Sequence, residues 1–319
     1  MDFYATFPIS GIRTWVLLPP IVTCVVSFFA SMGGVSGAFL LLPFQMSVLH
    51  FVSPAVSSTN LVYNIIAIPR GVYRYIREKR MVWPLAWIII MGTLPGVFLG
   101  YYIRVWYLPT PRAFRLFVSC VLLYIGARLL RDVFGRFRLS MMDKNGPAGQ
   151  NIFSEGGLAR WDNADFHPHS AVGAMSRTTK IVEYEFCGEK FSFGISKMLA
   201  LAFVVGIVGG AYGMGGGSIL SPFCVAFLGL PVHTVAGAAL LGNFFTSIAG
   251  VFFYSVMPAK AGVSTSPDWP LGILFGSGGL LGMYCGARLQ KYVPQKLIKI
   301  MLSVMLLFLA AAYIRDFFV

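Results

Sequence analysis

Hydrophobic residues occur in long runs along this chain, and polar residues are concentrated in the gaps between the runs. A helix needs roughly 20 mostly apolar residues to cross a bilayer. Eight runs approach that length, and they cover residues 12–32, 54–69, 83–103, 113–130, 194–212, 232–256, 270–287 and 297–314. The pattern predicts an all-α, polytopic bundle of membrane helices with eight full spans.

Two shorter apolar runs, 35–51 and 217–230, each follow a cluster of glycines. Their length fits a short span, a half-helix or a re-entrant segment. If both runs cross the membrane, the bundle has up to ten crossings. If both are re-entrant, eight remain.

The two halves of the chain resemble each other. At an offset of 179 positions the matched pairs are Gly34/Gly213, Gly37/Gly216, Pro43/Pro222, Phe44/Phe223, Val56/Val235, Asn64/Asn243, Gly71/Gly250, Val72/Val251 and Tyr75/Tyr254. At an offset of 186 they are Pro84/Pro270, Gly92/Gly278, Gly96/Gly282 and Gly100/Gly286. Matched Gly, Pro and Asn indicate an internal duplication, as in many transporters. We therefore divide the chain into a first transmembrane repeat, 1–132, an insert, 133–193, and a second transmembrane repeat, 194–319.

Basic residues in the short loops indicate that the two repeats have opposite orientations. The cations that follow the run 54–69 are Arg70, Arg74, Arg77, Lys79 and Arg80, whereas the corresponding segment 257–269 holds only Lys260. Short cytoplasmic loops carry an excess of Lys and Arg. With a cytosolic insert, two inverted repeats then have five crossings each. Parallel repeats of four spans are the alternative if the short runs are re-entrant.

The insert is polar and is predicted to be cytosolic. It carries seven of the twelve acidic residues. Residues 181–193 alternate around Gly188 and predict a β-hairpin with Val182, Tyr184 and Phe186 on one face. His167 and His169 have no cysteine or carboxylate at ligand spacing, so we interpret them as ordinary loop residues.

Composition agrees with a multi-pass protein of the cell membrane. The chain is 57% hydrophobic and 12% charged, whereas soluble domains average about 25% charged residues. The net charge of +13 comes from cations that flank apolar runs, which favours topology determinants over nucleic-acid binding. No Cys-x-x-Cys pair occurs, so neither a disulfide framework, a metal nor another cofactor is predicted.

The two glycine clusters are the first candidate substrate site. Glycine lets a membrane helix unwind, and the helix that resumes presents free N–H groups and a positive dipole end to an anion. Small residues also allow close helix packing, which is the competing interpretation. The candidates are Gly33, Gly34, Ser36 and Gly37 in the first repeat, and Tyr212, Gly213, Gly215, Gly216, Gly217 and Ser218 in the second.

A polar stretch after each cluster is the second candidate. Its residues are Ser57, Ser58, Asn60 and Asn64 in the first repeat, and Asn243 and Thr246 in the second. Asn60 and Asn64 lie four apart and therefore share one helix face. Such side chains could line a substrate path or act as interhelical hydrogen bonds.

No Asp or Glu falls well inside a predicted span, which argues against a proton relay or a carboxylate cation site. An anion neutralised by helix ends fits better. Arg70 is the nearest candidate cation for pairing with the anion, although it could equally anchor the helix at the membrane surface.

These motifs resemble the sulfite exporter TauE/SafE family, also called the TSUP family of anion transporters. The resemblance lies in the stretches 33–44 and 209–223, which both end in Pro-Phe, and in the Gly-x-x-x-Gly-x-x-x-Gly pattern late in each repeat. It covers nearly all of the chain outside the insert. It implies transport of a small sulfur oxyanion or organosulfonate, such as sulfite or thiosulfate, across the plasma membrane. Ser36 stands where the second repeat has Gly215, so the contacts of the repeats need not be symmetric.

The residues leave the function open between three classes. The leading hypothesis is a secondary transporter that works by alternating access, with H⁺ or Na⁺ as coupling ion and with import or export undetermined. An anion channel or a membrane sensor is the second. A membrane-embedded transferase is the third, but neither His50 nor His233 has a carboxylate or cysteine neighbour at useful spacing, so we favour a non-enzyme.

Overall fold

A computed structural model describes residues 4–51, 53–108, 116–131 except 118, 125 and 129, 172–257 except 179, 187 and 218, and 264–318 except 294. The described residues form ten α-helices and a short 3-10 helix, Gln290–Tyr292. The α-helices are α1 Leu18–Met32, α2 Ala38–Ser47, α3 Ala55–Arg77, α4 Trp83–Trp106, α5 Ser119–Arg128, α6 Ile195–Tyr212, α7 Leu220–Leu228, α8 Val232–Val256, α9 Trp269–Leu289 and α10 Gln295–Phe318. By length and composition, α4, α6, α8 and α9 can each cross a membrane.

Each of the eight long apolar runs contains a helix. The largest difference from the predicted boundaries is in α3, which continues to Arg77 rather than ending at residue 69. Its last turn contains Arg74 and Arg77, and positive side chains there interact favourably with the helix dipole.

The two short apolar runs form the short helices α2 and α7, with 10 and 9 residues. At 1.5 Å per residue each is about 15 Å long, roughly half of the 30 Å hydrocarbon thickness. The chain is not helical from Gly33 to Gly37 or from Gly213 to Ile219, apart from the undescribed residue 218. We call these two segments the first break and the second break.

Helices of one half pack mainly on helices of the other half. The glycine face of α4 lies on α6, and the glycine face of α9 lies on α1. A Cβ on Gly92 would lie 2.9 Å from the carbonyl oxygen of Leu199, and a Cβ on Gly278 would lie 2.5 Å from the carbonyl carbon of Pro20. Glycine is therefore needed for this close backbone approach.

These two contacts correspond residue for residue. Gly278 is the counterpart of Gly92 at the offset of 186, and Leu199 is the counterpart of Pro20 at the offset of 179. The helices α3 and α8, which carry Asn64 and Asn243, pack on each other between the two pairs. The repeated sequence motifs therefore occupy equivalent environments.

Two small antiparallel sheets accompany the helices, so the described fold is mostly rather than entirely α-helical. Strands β1 (Tyr4–Thr6) and β2 (Arg13–Trp15) pair near the N-terminus, where no sheet was predicted. Strands β3 (Val172–Arg177), β4 (Ile181–Phe186) and β5 (Glu189–Gly194) form the second sheet. Its β4–β5 hairpin lies where the alternating sequence placed one, and β3 adds an unpredicted strand.

The second sheet packs against the helices. Val182, Tyr184 and Phe186 are buried in the same hydrophobic core as the membrane helices. The Tyr184 hydroxyl lies 3.0 Å from Thr234 Oγ1, and the backbone N–H of Val172 donates to the carbonyl of Lys79 over 2.9 Å. Burial raises the pKa of Tyr184, which keeps this hydroxyl protonated. The last part of the insert is therefore joined to the bundle.

Candidate functional site

The first break turns sharply between α1 and α2. Gly34 has φ +69°, in the left-handed region that favours glycine. A Cβ on Gly34 would lie 2.5 Å from the Cβ of Ala236 in α8. A Cβ on Gly37 would lie 2.6 Å from Ser27 Oγ and would collide with the Tyr63 hydroxyl. Helices of both halves therefore surround this break.

The second break lies between α3 and α8. Gly213 has φ +82°, and a Cβ on it would lie 2.5 Å from the Cα of Ser57. Gly215 has φ +79°, and a Cβ on it would collide with Asn243 Oδ1. Ser57 and Ala236 are counterparts at the offset of 179. Each break thus packs on the same position of the other repeat.

Buried polar groups meet at the second break. Asn64 Nδ2 donates to the carbonyl oxygen of Met214 over 2.8 Å and to Ser247 Oγ over 3.1 Å. A Cβ on Gly215 would lie 3.0 Å from Ser247 Oγ and next to the Asn243 amide. We call Asn64, Met214, Gly215, Asn243 and Ser247 the amide cluster. It joins the middle of α3 and the middle of α8 to the unwound backbone of the second break.

Several amide atoms of this cluster have no hydrogen-bond partner among the described residues. They are Oδ1 of Asn64 and both Oδ1 and Nδ2 of Asn243. Both side chains are fully buried. A buried polar group without a partner costs about 1–3 kcal/mol, so such groups in a fold require an explanation. Here they lie beside a break in a helix, and transporters typically form their substrate sites at such discontinuous helices.

Other predicted residues hold the breaks in place. Ser57 Oγ donates to the carbonyl of Tyr212 over 3.4 Å, and Asn60 Nδ2 donates to the carbonyl of Ala38 over 2.9 Å. The Tyr212 hydroxyl donates to the carbonyl of Phe39 over 3.0 Å, and the two rings stack. Tyr212 therefore connects the second break to α2, the helix that follows the first break.

The remaining candidates in the breaks are also buried. The backbone N–H of Gly216 donates to Thr246 Oγ1 over 3.1 Å. A Cβ on Gly217 would lie 2.5 Å from a backbone nitrogen of α8. Gly33 and Ser36 are buried in the first break.

Neither Ser58 nor Arg70 belongs to the amide cluster. Ser58 Oγ donates over 2.6 Å to the carbonyl of Thr265, at the start of the chain leading into α9. Arg70 is exposed on α3, so the structure does not support it as the cation of the site. Ser218 lies outside the described residues.

Sequence reasoning missed two buried cations. Arg104 is fully buried in α4, and its Nε lies 3.5 Å from Ser57 Oγ, next to the second break. Arg80 is 2% exposed and forms an ion pair with Glu78. The predicted run 83–103 ended just before Arg104, and Arg80 was counted among the cations that follow the run 54–69. One feature of the sequence could have indicated that Arg104 lies inside a helix: apolar residues continue directly after it.

Arg80 belongs to a network at the end of α1. Gln290 Oε1 accepts hydrogen bonds from Arg80 Nη1 and from the Tyr75 hydroxyl, each over 2.9 Å. Gln290 Nε2 donates to the carbonyl of Met32 over 2.7 Å. The network thus fixes the last residue of α1, immediately before the first break.

The described residues contain no group of three or more His, Cys, Asp or Glu side chains that could hold a metal ion. His167 and His169 lie outside the described part of the chain. The amide cluster itself consists of neutral groups that do not titrate. Its chemistry is therefore binding by hydrogen-bond donors and acceptors.

The fold and the site define a helical membrane protein in which two broken helices adjoin buried polar side chains, an arrangement typical of secondary transporters. A profile of the family described as "Sulfite exporter TauE/SafE" matches residues 20–313. The chain belongs to this family.

Two curated relatives are similar to parts of the chain. "Probable membrane transporter protein YdhB" of Bacillus subtilis (strain 168) is 27% identical over 117 residues, which are 37% of this chain and 44% of the relative. "Probable membrane transporter protein YunE" of the same organism is 24% identical over 126 residues, 40% of this chain and 44% of the relative. The matches span less than half the length of each relative. No solved structure matches the chain.

Proposed function

We propose that this protein is a secondary transporter of small sulfur-containing anions such as sulfite, thiosulfate and sulfonates, and that it works by alternating access. The observation that carries the proposal is the amide cluster, in which Asn64 of the first repeat donates to Met214 in the broken helix of the second. Transporters bind their substrates at such interfaces between repeats. The family's description as sulfite exporters supports the substrate class.

Helix α1 packs on α9, and helix α4 packs on α6, so each half of the chain contributes one helix to each pair. This arrangement supports two inverted repeats. Ser57, at the start of α3, contacts the end of α6, and Tyr254, at the end of α8, donates to the carbonyl of Gly210 in the same part of α6. The equivalent helices α3 and α8 therefore run in opposite directions. Five crossings per repeat require that each short helix, α2 or α7, counts as a crossing of its own, as a tilted or paired element.

The anion would be held by N–H groups rather than by a metal. Asn243 Nδ2 is a buried donor without an acceptor among the described residues, and it lies beside the second break. Hydrogen bonds strengthen in a low-dielectric interior. Arg104, near the same break, takes the place of Arg70 as the cation that attracts the anion.

Uptake of labelled sulfite, thiosulfate, taurine and sulfoacetate into proteoliposomes tests the proposal. We expect saturable uptake of at least one anion under an imposed proton or sodium gradient. Asn243→Ala and Gly216→Leu should abolish it while the protein remains in the membrane. Ser277→Ala is the control, because Ser277 lies on an exposed face of α9 and, among the described residues, its hydroxyl donates to the Leu274 carbonyl of its own helix.

Two results would refute the proposal. If no anion moves while a cation does, the protein is not an anion transporter. If flux stays linear with concentration and labelled anion inside does not exchange with anion outside, the protein is a channel. Wild-type uptake by both variants would show that Asn243 and Gly216 only pack.

A further inference from the structure

We propose that the amide cluster also binds a sodium ion, which is transported together with the anion. This inference deepens the proposed function and rests on it for the coupling, but the binding of sodium can be tested separately. The starting point is a mismatch between the cluster and an anionic substrate. A fully deprotonated sulfur oxyanion, such as thiosulfate or the sulfite dianion, brings only hydrogen-bond acceptors, so it can satisfy Asn243 Nδ2 but cannot satisfy the two Oδ1 atoms.

The oxygens of the cluster lie close together. Asn243 Oδ1 and Ser247 Oγ both lie within 3.0 Å of the point where a Cβ on Gly215 would be. Asn64 Nδ2 lies 3.1 Å from Ser247 Oγ and 2.8 Å from the Met214 carbonyl oxygen. The Oδ1 atom of the same Asn64 amide is buried without a hydrogen-bond partner among the described residues. Two side-chain amide oxygens, a hydroxyl and a backbone carbonyl are thus gathered around the second break.

This donor set suits a hard cation. Neutral carbonyl and hydroxyl oxygens are the ligands of such ions in proteins, and unwound backbone carbonyls bind sodium in other transporters. The absence of carboxylates from these five residues disfavours a doubly charged ion. It also disfavours a proton as the coupling ion, because none of the five side chains takes up a proton near neutral pH.

The same residues can therefore serve both ions. The oxygens of Asn64, Asn243 and Ser247 face the cation, while Asn243 Nδ2 and the neighbouring break offer N–H groups to the anion. Binding of both ions brings a nearly neutral pair into the low-dielectric interior, which lowers the cost of burying either charge alone. This explains how a charged substrate can be bound at mid-membrane depth without a carboxylate.

Sodium binding is tested first without transport. We expect sodium chloride, but not potassium chloride at equal ionic strength, to raise the thermal unfolding midpoint of the detergent-solubilised protein, since a ligand that binds only the folded state stabilises it. Asn243→Ala and Ser247→Ala should weaken this response. Ser277→Ala should retain it.

Transport provides the second test. Anion uptake into proteoliposomes at constant pH should require external sodium and should fail with potassium or N-methylglucamine. Loss of one neutral ligand in Ser247→Ala should raise the half-saturating sodium concentration about fivefold. The KM for the anion at saturating sodium should change far less. If Ser247 has only a structural role, Ser247→Ala should lower uptake without a selective rise in the half-saturating sodium concentration relative to the KM for the anion.

The outcomes distinguish the two proposals. Equal anion uptake in all three cations, with no sodium-specific stabilisation, overturns the sodium site and leaves the anion transporter intact. Sodium-specific stabilisation that Ser247→Ala weakens, without uptake of any tested anion, supports the site and refutes the proposed substrate class.

Discussion

Replacement of Gly213 by alanine tests how the second break is built. Gly213 has φ +82°, and left-handed backbone costs a residue with a Cβ about 1–2 kcal/mol. The new methyl group would also lie 2.5 Å from the Cα of Ser57, and forced overpacking of a core typically costs about 1–3 kcal/mol. Because Ser57 is part of α3, its backbone cannot move aside without shifting the helix. We expect a total loss of about 2–5 kcal/mol.

Gly188→Ala is the matched control. Gly188 has φ +78°, but a Cβ on it would meet no atom within 4 Å. It therefore carries the backbone cost without the packing cost. Thermal unfolding in detergent, followed by intrinsic fluorescence, should show a clearly lower midpoint for Gly213→Ala than for Gly188→Ala. Equal midpoints would mean that the second break does not pack on α3 as described.

Two further predictions concern buried polar groups. In sodium-free buffer, Asn243→Leu should leave the unfolding midpoint unchanged or raise it, because that amide makes no hydrogen bond to described residues. Asn64→Leu removes the donor of a buried carbonyl and should cost about 1–3 kcal/mol. The reverse order would contradict the cluster geometry. Glu78→Gln should also lower the midpoint, because it leaves Arg80 buried without its carboxylate. A fully buried pair loses about 3–5 kcal/mol, and the partly exposed Glu78 places the loss near the lower end. Lys79→Gln, at an exposed neighbouring position, should have little effect.

The sequence predicted the breaks because their glycines are both numerous and repeated. A glycine in a helix costs about 1 kcal/mol relative to alanine, so a cluster indicates that the backbone leaves the helix. The positions of Gly34 and Gly213 with positive φ agree with this reasoning. Asn64 and Asn243 were predicted as a pair, and both lie at the second break. Their role in binding stays a prediction.

Hydropathy could not predict the positions of the buried cations. An averaging window assigns an Arg near the end of an apolar run to a loop, whereas Arg104 lies inside α4 and Arg80 is covered by Gln290. These positions depend on contacts between residues far apart in the chain. The pairing of β1 with β2 was missed for another reason, since three-residue strands are too short to show a period of two.

The contacts that the glycine faces of α4 and α9 make with the other half of the chain have a consequence for how the protein is made. Since α4 packs on α6 and α1 packs on α9, the first repeat has no partner for these faces while only that repeat has been synthesised. During translation, lipid or an insertion factor must cover the glycine faces until the second repeat enters the membrane. Assembly is therefore completed only after α9 has been inserted. For the same reason, two separately expressed repeats should be unstable alone and should recover a stable fold when they are produced in one cell.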